Sequence, residues 1–81
     1  MKETLGKIIS NNNMVRILKI LNKKDSSIRA ISKHLRVPEN IAKSLIKDLE
    51  ADGILSINGD NVSITEYGKE ISQELTRMGV R

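Results

Sequence analysis

The aliphatic residues of this chain change their spacing at Gly53, and that change limits the folds open to it. Before Gly53 they recur three and four positions apart, and from Leu55 to Ile64 they alternate. The first pattern belongs to helices buried along one face, the second to half-buried strands. Leu55 and Ile57 on one side, and Val62 and Ile64 on the other, flank Asn58-Gly59-Asp60-Asn61. Asn-Gly between alternating aliphatics predicts a hairpin. Pairing Ile57 with Val62 then also pairs Leu55 with Ile64 across a four-residue loop.

The helical part is cut by the lone proline, Pro38, which disfavours helical backbone at Val37 and suits the first turn of a new helix. Upstream, Leu5, Ile8 and Ile9 mark a first helix over residues 2–10. Asn12 or Asn13 is expected to cap a second, whose buried face is Met14, Ile17, Leu18 and Leu21. Asp25, Ser26 and Ser27 then precede Ile28, Ile31 and Leu35, with Arg29, Lys33 and Arg36 on the rest of that helix. After a turn at Val37-Pro38-Glu39, a helix over about 39–52 is expected to bury Ile41, Ala42, Leu45, Ile46 and Leu49, and to stop at Gly53. Thr65 is placed to cap a last helix bearing Ile71, Leu75 and Met78.

Eighty-one residues hold one small domain and one core. Twelve Ile and eight Leu against a single aromatic, Tyr67, make that core one of branched aliphatics. The chain has no cysteine and one histidine, His34, with neither a carboxylate nor a nucleophile beside it, and no phosphate-cradling glycine loop. Catalysis, a cofactor and a metal site are therefore not expected. No run of about 18 apolar residues and no signal-like start is present, so no membrane partner and a cytoplasmic location are expected.

Charge is unevenly spread. Residues 16–47 carry nine Lys or Arg against two acids, and residues 48–81 carry three against seven. A basic middle joined to an acidic end points to a segment that meets a polyanion. The plainer account, Lys and Arg coating solvated helix faces, fits the same counts.

Two short amphipathic helices about a three-residue turn, followed by a hairpin, fit a helix-turn-helix with a wing. The chain resembles the winged helix-turn-helix DNA-binding regulators of the ArsR/MarR-like group, of archaeal or bacterial type. The likeness rests on Arg16-Ile17-Leu18-Lys19-Ile20-Leu21, Ile31-Ser32-Lys33-His34-Leu35, the run from Ile41 to Leu55, and Val62-Ser63-Ile64-Thr65-Glu66-Tyr67-Gly68. It differs in a wing whose sole charge is Asp60, in Ser44 where many relatives have Arg, and in lacking the Cys and His ligands of metal-sensing members.

The resemblance implies a mainly α fold with a small β-hairpin, in one domain over 1–81. Residues 13–65 form the core and wing, and the apolar stripes of terminal helices over 2–10 and 66–79 either pack within the chain or form a homodimer interface. It implies a double-stranded DNA partner and a role in transcription regulation, with helix 39–52 in the major groove. The implied contacts are Glu39, Asn40, Lys43, Ser44 and Lys47 on that helix, Arg29, Lys33 and Arg36 at the backbone, and Asn58, Gly59 and Asn61 in the wing. Local turn chemistry for Asn40 and an ordinary hairpin turn for Asn58–Asn61 are the alternatives. The rival function is a winged-helix protein-interaction module, which the acidic wing tip and last helix favour. One aromatic is too few for a single-strand binder.

Overall fold

The computed structural model describes residues 2–80. Its elements run α1 (Lys2–Ile9), α2 (Asn12–Lys23), β1 (Ser26–Ser27), α3 (Ile28–Leu35), α4 (Glu39–Ala51), β2 (Leu55–Asn58), β3 (Asn61–Ile64) and α5 (Glu66–Arg77). The three strands form one antiparallel sheet in the order β1-β3-β2. The fold is mainly helical with a small hairpin, the winged helix-turn-helix arrangement expected.

Buried aliphatics from all five helices meet in a single core. Ile8, Ile17, Leu18, Ile31, Ile46, Leu49, Ile54, Val62 and Ile71 are almost wholly enclosed. The outer helices α1 and α5 thus contribute Ile8, Ile71 and Leu75 to the same cluster as the central ones. Ile9 (40% exposed) and Met78 (53%) stay outside it.

Side-chain caps set the helix starts. Asn11, not Asn12 or Asn13, caps α2, because its side chain accepts from the amides of Asn13 and Met14. Ser27 caps α3 and Thr65 caps α5 in the same manner. At its far end α4 turns off through Gly53 (φ +78°), whose amide bonds Glu50 while that of Ile54 reaches back to Leu49.

The end of α3 departs from expectation. It closes with the same paired bonds, Arg36 to Lys33 and Val37 to Ser32, but the left-handed residue is Arg36 (φ 60°, ψ 43°). Arg36 therefore lies beyond the helix, and the turn before α4 is Arg36-Val37-Pro38 rather than Val37-Pro38-Glu39. A left-handed residue with a side chain costs about 1 kcal/mol, which the two bonds and the partly buried Val37 offset.

The hairpin keeps the expected register, Ile57 opposite Val62 and Leu55 opposite Ile64. Its loop is shorter than expected, because Asn58 and Asn61 also pair and leave Gly59-Asp60 between them. Gly59 takes φ +65° at the first of these two positions, where a two-residue turn of this hand needs glycine. The short strand β1 was not foreseen. It pairs Ser26 with Val62 and Ser27 with Asn61.

Helix α4 buries Ala42, Ile46 and Leu49 and half-buries Leu45, but Ile41 is 45% exposed. Its expected burial fails because α4 is covered along a narrower arc than its row of aliphatics spans. The Ile41 side chain projects about 100° away from that of Ala42.

Candidate nucleic-acid interface

The outer face of α4 carries Glu39, Asn40, Lys43, Ser44 and Lys47, all exposed. Among the described residues no other segment of the chain covers them. The fold holds this face outward by burying the opposite one against α2, α3 and β2. Beside it lies an open groove of about 710 Å³ lined by Ser27, Ile28, Arg29, Glu39, Asn40, Lys43 and Asp60. The start of α3, the start of α4 and the wing tip therefore border one hollow.

Every candidate residue of the sequence is exposed: Arg29, Lys33, Arg36, Glu39, Asn40, Lys43, Ser44, Lys47, Asn58, Gly59 and Asn61. The groove brings together Arg29, Glu39, Asn40 and Lys43. Lys33, Arg36, Ser44, Lys47 and the wing residues Asn58, Gly59 and Asn61 lie outside its lining. Among the described residues, none of Arg29, Lys33, Arg36, Lys43 and Lys47 is in an ion pair. Their positive charge faces solvent uncompensated. Asp60 and Glu39, lining the same hollow, lower its potential locally.

Two supports hold the face in place, and neither was read from the sequence. The Ile28 amide donates to the Asp60 carbonyl at 3.1 Å, so the wing tip is tied to the first turn of α3. Two adjacent serines without alternating aliphatics gave no strand signal there. Arg16 reaches from α2 to the end of α3, donating from Nη2 to the His34 carbonyl at 2.9 Å and from Nη1 to the Leu35 carbonyl at 3.5 Å. A guanidinium at a helix C-terminus meets free carbonyls and the negative end of the helix dipole. One of the nine bases of the middle segment is thus a brace between helices.

The acidic side of α4 is also engaged. Lys7 of α1 bonds Asp52 at 2.9 Å and lies 3.8 Å from Asp48. The hydrogen bond to Asp52 is the largest cause holding the Lys7 ammonium above its ordinary value of 10.5; desolvation opposes it, and the Asp52 and Asp48 charges add to the rise. The far end of α4 is therefore anchored to α1, while the outer face of its first half stays uncovered.

No three His, Asp or Glu side chains among the described residues converge to hold a metal ion. No described helix is long and apolar enough to cross a membrane.

No protein-family model and no curated protein matches the chain. Among solved structures it is similar to the adhesin competence repressor (AdcR) from Streptococcus pyogenes, with a TM-score of 0.75 and 22% sequence identity. The match covers 85% of this chain and 57% of the repressor's, so the chain spans little more than half that protein's length. At this identity the likeness is one of fold.

Proposed function

We propose that the protein binds double-stranded DNA as a transcription regulator, with the exposed side of α4 in the major groove. The observation that carries this reading is the uncovered α4 face bearing Lys43 and Lys47, with Lys43 and Arg29 lining one groove, on a fold shared with a repressor. Helix α4 has 13 residues, about 20 Å of helix, and a helix of ordinary diameter fits a major groove about 12 Å wide.

In this reading Arg29, Lys33, Arg36, Lys43 and Lys47 displace condensed counterions and set affinity, while Asn40 and Ser44 offer hydrogen bonds to base edges. Glu39 accepts from an exposed cytosine amino group. Asn58, Gly59 and Asn61 approach the backbone through uncharged groups. Two copies joined through Ile9 and Met78 would present two such helices to half-sites about 34 Å apart.

A filter-binding titration against salt tests it. Roughly five engaged phosphates give a slope of log affinity on log salt near −4.5 per chain. Lys43→Glu with Lys47→Glu should abolish binding while leaving the circular-dichroism spectrum and melting curve unchanged. Salt-insensitive or unaltered binding would refute the proposed face.

The second reading, a protein-docking module, is favoured by one observation: Ile41, an exposed aliphatic on α4. Loss of duplex binding on Lys43→Glu and Lys47→Glu, with Ile41→Ser neutral, decides for DNA.

A further inference from the structure

A second concavity, of about 610 Å³, lies between α2 and α3 and shares no lining residue with the groove beside α4. Arg16, Lys19, Lys23, Lys24 and His34 rim it, and Ile20 and Ala30 contribute apolar surface. No acidic residue lines it. Lys19, Lys23 and Lys24 are exposed, and among the described residues none is in an ion pair. The Arg16 guanidinium is already fixed by its bonds to the His34 and Leu35 carbonyls, so it needs no ordering to face a ligand.

The two hollows stand on either side of one ridge. Ser26 lines this cleft and Ser27 the groove, as consecutive strand residues point opposite ways. Ala30 lines the cleft and Arg29 the groove, their side chains about 100° apart around α3. The longest extent of the protein is 29 Å, and duplex DNA has a persistence length near 50 nm. A duplex seated on α4 thus runs nearly straight past the molecule and does not turn over the ridge.

We propose that the cleft between α2 and α3 is a second docking surface for the sugar–phosphate backbone of duplex DNA, so that one chain bridges two duplexes. This rests on the reading of α4 as the first DNA face. Clustered Lys and Arg with no acid among them suit a phosphate backbone, which asks for positive charge and little geometric precision. With no Phe, Tyr or Trp in the lining there is no broad stacking platform, so this contact is expected to ignore sequence.

A bridging assay tests the proposal, with one short duplex on beads and a second, fluorescent duplex in solution. The intact chain should retain the fluorescent duplex on the beads. Lys19→Glu, Lys23→Glu and Lys24→Glu together should lower that retention by about tenfold or more, and leave affinity for a single duplex within about threefold. Unchanged bridging by the triple variant would overturn the proposal. So would single-duplex binding that falls in step with bridging, which would make the cleft an extension of the first footprint. Bridging lost in Ile9→Glu with Met78→Glu but kept in the triple variant would assign it to paired copies and likewise overturn it. If the intact chain binds one duplex and bridges none, this inference alone fails. If it binds no duplex, the α4 reading fails as well.

Discussion

Gly68 sits where α5 crosses the start of the wing, and a Cβ there would fall inside the van der Waals contact of the Ile54 carbonyl and 2.7 Å from Ile64 Cγ1. Thr65 makes the crossing this close. Its hydroxyl lies 2.7 Å and 3.0 Å from the Gly53 and Ile54 carbonyls and accepts from the Gly68 amide at 3.0 Å. Gly68→Ala is therefore expected to lower unfolding free energy by about 1–3 kcal/mol in urea titration, through forced movement of backbone. Lys7 makes a prediction in pH. Its raised pKa means that the bond to Asp52 stabilises the fold fully below the ordinary lysine value of 10.5 and loses that contribution as pH rises through the higher folded value. The gap in melting temperature between wild type and Lys7→Met should be level from about pH 7 to 9 and narrow as pH rises past the ordinary lysine value. A gap that persists at high pH would assign the effect to packing of the lysine stem. The Thr-x-x-Gly spacing was visible in the sequence. Lys7 was not, because its partners are more than forty positions away.

Within α4, Ile41 and Ile46 are the same residue type on one helix, yet one is 45% exposed and the other fully buried. Ile46→Ala should cost about 2–5 kcal/mol by leaving a cavity in the aliphatic core. Ile41→Ala should move stability by no more than about 0.5 kcal/mol in the same titration. Equal losses would mean that a larger arc of α4 is covered than the structure describes. Periodicity located every helix here and fixed the hairpin register, because those depend on which residues repeat. It misplaced Ile41 because the width of the covered arc depends on how many neighbours a helix has. The left-handed Arg36 was illegible for a related reason: a helix end is signalled by glycine, and here arginine does that work. Strand β1 left no trace because two residues are too few to alternate.

Charge is partitioned across the molecule as it is along the chain. The bases of α2, α3 and α4 lie at the surface, apart from Arg16, while Asp52 at the end of α4 is held by Lys7 of α1 and Glu74 of α5 pairs with Arg77 one turn on. Besides Ile41 on α4, the large apolar side chains left exposed are Ile9 at the end of α1 and Met78 just past α5. If copies pair there, sedimentation should show a mass near twice 9.1 kDa that falls to the single-chain value with Ile9→Glu and Met78→Glu. A single-chain mass for the wild type at all concentrations would remove the pairing. The candidate DNA face was largely readable from charge and from the lone proline, whereas the second basic hollow needed the crossing of α2 over α3. Finally, the amide of Ile28 fastened to Asp60 makes the hairpin and the helix beside it a single lever. A push at the tip is passed through that bond to the root of the helix instead of being absorbed by a loose finger.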